Sequence, residues 1–552
     1  MKKIISIIII LIIGLIIFFQ TNKPNQEVIS ISDEIYLIID DKIFLEDNPV
    51  IIEDNTIFIS FDVIKENIDP YIFYDINEKI LIFTNDEKVI RYKLDENYAT
   101  INHREFYLDK KFKILNDKIY IPKEILMNFY PIEILYFEDT KAVIIEENFS
   151  NYIQGQIIEE GGNLRVNFDK KSPIVLKDIP LESEVIIFEE YMDWYKIRTY
   201  NGIIGYIEKK YLKINHRTKQ NGISKNFKEE YKSNNEKINL TWDYTYGKMK
   251  NIDNIEYIDG LNILSPTWFS IIDREGNIFD KGNPDYVEEY QALGYKIWPL
   301  IDNGFDPDLT HELLVSSQMR EKLIKDIALI YNKYKVDGIN IDFENINIED
   351  KDLLTQFVRE LYPIFKEMDM IVSMDISPIS TSENWSLCYD RYELSKTVDY
   401  LMLMAYDQHW ASSPVAGSVA QYIWVEESII KVLEEVPKEK LILGIPFYTR
   451  LWKYENREKG EELSSYALSM EKANEFIERY NIQLEWDEES NQYYGEVKIE
   501  DTIYKIWLED KDSIKFKTTL VNKYDLAGIA SWRRGFETED IWPVLSNTIR
   551  LN

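Results

Sequence analysis

From Ile238 onward, short apolar runs alternate with long helical stretches, and no other feature restricts the fold as tightly. The runs are Ile238–Trp242, Leu261–Pro266, Tyr295–Ile301, Gly338–Glu344, Ile371–Ile376, Tyr400–Tyr406, Leu441–Phe447 and Ala527–Trp532. Stretches such as "SQMREKLIKDIALIYNKYK" and "KDLLTQFVRELYPIFKEM" lie between several of them with helical periodicity. Eight strands joined by helical crossovers over roughly 300 residues predict a (β/α)8 TIM barrel over residues 237–552. The stretch from about 451 to 509 is too long for a loop. It carries its own helix and strand patterns, so it reads as an α+β insertion after the seventh strand.

The rest of the chain has a different grammar, so the protein is multidomain. Over residues 27–147, short alternating runs ("EIYLIID", "TIFISFDVI", "KILIFTN", "KAVIIEE") are separated by charged or Asn/Asp turns. This predicts a small strand-rich α+β domain with brief helical turns after "FISFD" and "YIPKE". Its layout resembles the amine oxidase N-terminal domain. Residues 153–214 read as a second all-β unit, with Asn163-Leu164-Arg165-Val166, Trp194-Tyr195-Lys196-Ile197 and Gly205-Tyr206-Ile207 at strand positions. These residues resemble a bacterial SH3-like β-barrel, which implies either contact with the cell wall or a spacer. Residues 215–236 are polar, lack apolar periodicity and read as a linker.

At the start, Lys2 and Lys3 precede an uninterrupted apolar run from Ile4 to Phe19. As a helix it reaches roughly 24 Å, enough to span a locally thinned bilayer. No small-x-small cleavage site follows, so residues 1–24 are expected to be an uncleaved transmembrane signal anchor, lysines inside. A cleaved export signal is the alternative. The bulk of the chain is then extracytoplasmic in either case.

Lys+Arg 64 against Asp+Glu 97 leaves a net charge of −33, which repels phosphate backbones and disfavours nucleic acid as a partner. Cys388 stands alone, so no intrachain disulfide forms. One Cys with the scattered His103, His216, His311 and His409 makes no zinc constellation. Chemistry without metal or cofactor is expected.

That chemistry is sought on the fourth barrel strand, "VDGINIDFEN". Strand side chains alternate between faces. Ile339, Ile341 and Phe343 then face the helices, while Asn340, Asp342 and Glu344 point into the barrel, with Glu344 last, at the C-terminal end where barrel enzymes act. Desolvating carboxylates costs several kcal/mol each, so three inward polar groups in a row argue for use. Neighbouring acids raise one another's proton affinity and suit Glu344 to general acid work.

"DGINIDFE" resembles the DxxDxDxE signature of glycoside hydrolase family 18, the chitinase-like hydrolases, with Asp337, Asp342 and Glu344 at acidic positions. "YLMLMAYD" supplies Met404, Tyr406 and Asp407, and "LAGIASWRRGFE" supplies Trp532 at the end of the eighth strand. The resemblance implies Glu344, Asp342 and Tyr406 as catalytic residues. It implies Asn340, Trp532, Met404 and Asp407 as substrate-binding residues, with Asp337 supporting the motif. It also implies retaining, substrate-assisted hydrolysis of an N-acetylated glycan polymer, either peptidoglycan (spore cortex included) or chitin. Asn340 departs from the family's middle Asp. An amide cannot share a proton, so Asn340 is expected to donate a hydrogen bond to Asp342 and leave it more readily ionised. A silent glycan-binding lectin on the same barrel is the reading from another class.

Overall fold

The computed structural model describes residues 23–549 apart from 95, 97, 109, 148–150, 216–217, 220–236, 248–256 and 458–459. The expected membrane anchor and nearly all of the expected linker lie outside the described residues. Among the described residues, no helix is long and apolar enough to cross a membrane. The chain forms two compact units, Met1–Ile72 with Tyr107–Tyr231, and Phe73–Phe106 with Lys232–Asn552.

In the first unit, two four-stranded sheets carry the short helices Phe61–Asn67 and Lys123–Phe129. An antiparallel sheet follows, in the stretch that resembles an SH3 barrel. The two parts share one core, in which Ile204 packs with Tyr36, Ile38, Ala142 and Ile144. Arg198, fully buried, is ion-paired with Glu146 and donates to the Asp40 carbonyl at 2.9 Å. A buried guanidinium needs such partners, because burial without them costs several kcal/mol.

The second unit is built on a closed barrel of eight parallel strands. These are β1 (Ile238–Asp243), β2 (Ile263–Ile271), β3 (Leu300–Asp302), β4 (Gly338–Asp342), β5 (Ile371–Ile376), β6 (Tyr400–Met404), β7 (Leu441–Pro446) and β8 (Gly528–Trp532). Each pairs with the next, and β8 pairs with β1 to close the ring. The third strand is broken, since Lys296–Ile297 pairs separately before Trp298 and Pro299 interrupt it. The alternation along β4 sorts its side chains as the pleat requires. Ile339, Ile341 and Phe343 are buried in the strand–helix layer, with Phe343 stacked on Phe357 at 5.5 Å. Leu240, Trp242, Leu300, Met402 and Ile442 fill the barrel interior. Gly338 is demanded by contact, because a Cβ there would meet Trp298 at 2.7 Å and the Ile371 carbonyl at 2.8 Å. The insertion after β7 is a five-stranded antiparallel sheet with the helix Met470–Tyr480.

The stretch expected to form one domain over 27–147 is divided between the units. Its middle, from Phe73–Asp75 to Arg104–Tyr107, is a five-stranded meander, and Phe73–Phe106 groups with the barrel. Polar contacts explain the grouping. Asp75 accepts hydrogen bonds from the backbone and hydroxyl of Ser317 at the start of the helix Ser317–Tyr334, where the helix dipole favours a carboxylate. Arg91 of the meander meets Glu360 of the helix Lys351–Glu367 at 2.9 Å. Arg320 holds the same carboxylate from a second side, also at 2.9 Å. Burial raises the Glu360 pKa, but Arg320 and Arg91 outweigh it and hold the carboxyl below its usual range.

Candidate active site

The strands deliver a layered polar cluster to the C-terminal end of the barrel. Asp302, Asp342 and Asp375 come from three consecutive strands, with Asp302 in register with Asp342. Below them Asn340 is fully buried. Its Oδ1 accepts from Trp242 Nε1 at 2.8 Å and Ser265 Oγ at 3.3 Å. Its Nδ2 donates to Asp375 Oδ1 at 2.8 Å. The expected bond from Asn340 to Asp342 is therefore corrected. Residues two apart on one strand stand roughly 7 Å apart, whereas the neighbouring strand offers an acceptor within reach. Asn340, fully buried, is engaged by these partners on both sides of its amide, so here it positions Trp242, Ser265 and Asp375.

The expected easy ionisation of Asp342 is overturned for the same reason. Its Oδ1 is buried with no hydrogen-bond partner among the described residues. Burial, then the charges of Glu344, Asp375 and Asp302, push its pKa well above the usual carboxylate range. Asp375 is raised too, by burial foremost, although the Asn340 amide opposes the shift. Desolvation dominates in both, because the barrel interior offers the charged forms too few donors.

The fourth strand ends at Asp342, two residues short of the run to Glu344 expected from sequence, so Glu344 lies just past the end of β4 and is partly exposed. Asn303 fixes its backbone from both sides: the Glu344 N–H donates to Asn303 Oδ1 at 3.0 Å, and Asn303 Nδ2 donates to the Glu344 carbonyl at 2.8 Å. Tyr389 donates its hydroxyl to the Phe343 carbonyl at 2.8 Å. The carboxyl pKa is raised to about 7, by burial first and then by the charges of Asp407 and Asp302. A hydrogen bond with Asp342 lowers it in part. A carboxyl so held is protonated often enough near neutral pH to donate, and ionised often enough to accept.

Aromatic groups surround this pair. Trp532, the last residue of β8, is tilted against Trp242 with ring centroids 5.9 Å apart. Tyr406 stands edge-on to Trp242 at 6.4 Å, and its hydroxyl has no hydrogen-bond partner among the described residues. Burial and the nearby carboxylates raise its pKa well above the usual tyrosine range, so it stays a hydroxyl donor. Met404 ends β6 and is buried. Asp407 has φ +56° and accepts from Tyr448 Oη at 2.5 Å and Arg450 at 3.2 Å. Asp337 is at the opposite end of β4. It accepts from Gln291 at 2.8 Å and the Ile297 N–H at 3.0 Å, and pairs with Lys296 at 2.8 Å. That contact ties the broken third strand to β4 and touches no chemistry.

Sequence reasoning missed Asp302, Asp375, Trp242 and Asn303. For the first three the signal was present: each is a polar or aromatic residue at the end of an apolar run, where the alternation applied to Asp342 also places it inward. Asn303 follows β3 and carried no such signal.

Residues 307–537 match the glycosyl hydrolases family 18 model, 38–145 the copper amine oxidase N-terminal domain and 160–213 the bacterial SH3 domain. YdhD of Bacillus subtilis, assigned as a sporulation-specific glycosylase, is 28% identical over 237 residues, which are 42% of this chain and 55% of that protein. The cortical fragment-lytic enzyme of the same organism is 24% identical over 252 residues, covering 45% of this chain and 58% of its own length. This chain thus spans little more than half the length of these two relatives. The C-terminal domain of a protein assigned as a chitinase from Desulfitobacterium hafniense superposes with TM-score 0.51 at 25% identity. It covers 57% of this chain and 100% of its own. This chain thus carries a glycosyl hydrolases family 18 domain over residues 307–537, within the barrel, and is similar to spore cortex-lytic enzymes and chitinases.

Proposed function

We propose that the protein is a retaining N-acetylglucosaminidase acting on β-1,4-linked, N-acetylglucosamine-containing glycan of peptidoglycan or spore cortex. The observation that carries this reading is the Glu344 carboxyl, raised to about 7 beside Asp342 at the mouth of the barrel. Glu344 gives its proton to the glycosidic oxygen as the bond from that oxygen to the anomeric carbon breaks. The carbonyl oxygen of the substrate's own 2-acetamido group closes onto the anomeric carbon and forms an oxazolinium ion. Asp342 holds the acetamide N–H, and the unengaged Tyr406 hydroxyl donates to the acetamide oxygen. Trp532 forms the floor beneath this sugar, with Met404 and Asp407 at its edge. Glu344, now a carboxylate, takes a proton from water, whose oxygen attacks the anomeric carbon from the same side as the departed group. The acetamide is restored and the configuration retained.

The apolar run Ile4–Phe19 supports a place at the cell membrane with the bulk outside, and the match over 160–213 supports contact with the wall. Peptidoglycan, spore cortex and chitin are incubated separately with the protein and with Glu344→Gln, and the products are read by mass spectrometry and anomeric NMR. New N-acetylglucosamine reducing ends in the β configuration from peptidoglycan or cortex are expected. Products from chitin alone indicate a chitinase, and binding without products a lectin. Near wild-type hydrolysis by Glu344→Gln would falsify the assignment.

A further inference from the structure

At the rim between β1 and β8 there is a cluster that the reaction above does not use. Arg533 directly follows Trp532, and its guanidinium lies over three rings: Phe536 at 4.0 Å, Tyr244 at 4.7 Å and Tyr246 at 5.7 Å. It also donates to the Tyr246 hydroxyl at 3.2 Å. Tyr244 is 39% and Tyr246 77% exposed, so ring faces are open to solvent beside the cation. Lys281, which follows the short strand paired to β2, lies over the same Tyr244 ring at 5.9 Å. Arg533 has no carboxylate partner among the described residues, whereas Lys281 interacts with the Asp302 charge, the neighbouring Arg534 pairs with Asp243 at 3.1 Å, and Arg450 pairs with Asp407.

An unpaired guanidinium is notable at the mouth of a barrel lined by Asp302, Asp342, Glu344 and Asp375, on a chain of net charge −33. A neutral sugar polymer needs only the rings. An anionic one approaches this mouth against repulsion unless fixed positive charge receives it. Guanidinium suits a carboxylate, since its N–H groups match the two oxygens, and an Arg already held by rings loses little freedom on binding. We propose that Arg533, presented by Tyr244, Tyr246 and Phe536, is a specificity subsite. It takes a carboxylate borne by the sugar next to the one held over Trp532. This inference rests on the glycosidase reading above and narrows its substrate class to glycans that alternate N-acetylglucosamine with a carboxylate-bearing sugar. The lactyl ether of a muramic acid unit and the peptide attached to it are two sources of that carboxylate.

The full chain, Arg533→Gln and Arg533→Lys are compared on four soluble oligomers of equal length. These are a GlcNAc–muramic acid oligomer with free lactyl carboxylates, its methyl ester, its peptide-bearing form and a chitooligosaccharide. Circular dichroism and melting temperature confirm that each variant is folded. Arg533→Gln is expected to lower kcat/KM on the free-carboxylate oligomer about tenfold more than on the ester or chitooligosaccharide, chiefly through KM. Arg533→Lys should recover part of the loss, and wild-type KM for the carboxylate oligomer should rise with salt. A tenfold selective loss confined to the peptide-bearing form assigns the carboxylate to the peptide. An equal loss on all four oligomers, or none, overturns the inference while leaving the glycosidase reading intact. If wild type cleaves none of them, the glycosidase reading fails. Calorimetric binding then still tests the subsite, which falls if Arg533→Gln binds the carboxylate and ester oligomers as wild type does.

Discussion

Replacing Glu344 by Gln should make the folded protein more stable, and by an amount that grows with pH. The carboxyl pKa is about 7 in the folded chain against 4.5 for an ordinary glutamate. Below 4.5 both folded and unfolded chains hold the proton, and Glu344 costs nothing. As pH rises from 4.5 to about 7, the unfolded chain releases the proton while the folded chain retains it, so stability falls across that window. Above about 7 the loss is complete. A gap of about 2.5 pH units corresponds to about 3 kcal/mol. Gln keeps an oxygen that accepts from Asp342 but cannot ionise, so it escapes this penalty. The gain should be about 1 kcal/mol at pH 5.5 and about 3 kcal/mol at pH 8. The sequence pI of about 4.7 makes pH 5.5 a practical lower limit. Urea unfolding followed by tryptophan fluorescence reads the barrel, where Trp242, Trp268 and Trp298 are buried. Equal stabilities of the two proteins at pH 8, or a gain that does not change with pH, would show that Glu344 is not held protonated by its surroundings.

Further outcomes follow from the contacts of the site and of the buried ion pairs. Hydrolysis should lose about tenfold in kcat/KM per pH unit above about 7, as Glu344 ionises. Asp407→Asn removes a charge that raises the Glu344 pKa, so this alkaline limb should move to lower pH, and an upward move in the pH–rate profile would contradict the assignment. Asn340→Leu leaves Trp242, Ser265 and Asp375 short of a partner and should destabilise the barrel by about 3 kcal/mol, at about 1–3 kcal/mol per orphaned buried group. A loss under about 1 kcal/mol in urea unfolding counts against that network. Asn340→Asp faces Asp375 with a second carboxylate, so the two should titrate jointly and reshape the acid limb of the same profile. Glu360→Gln leaves the buried Arg320 without its carboxylate and Arg91 with only Glu321 at 3.9 Å, and should cost about 3–5 kcal/mol, with a melting temperature close to wild type as the refuting result.

The sequence by itself determined the barrel, because strand and helix periods are local properties. Seven of the eight barrel strands lie within a few residues of the apolar runs read from the chain, and the third differs because Trp298 and Pro299 interrupt it. The same period of two placed Asn340 and Asp342 inward and put Glu344 at the working end. Periodicity does not say which side chain on a neighbouring strand lies within hydrogen-bond reach, since that depends on the register of a closed sheet. Only the tertiary structure decided that Asn340 donates to Asp375, and that burial, with the charges of Glu344, Asp375 and Asp302, raises the Asp342 pKa. It also decided that residues 73–106 group with the barrel. The partners there, Arg91 and Glu360, are separated by 269 positions, and each looks in sequence like one more surface charge. Burial made them a pair, because a lone ion cannot stay in a dry core.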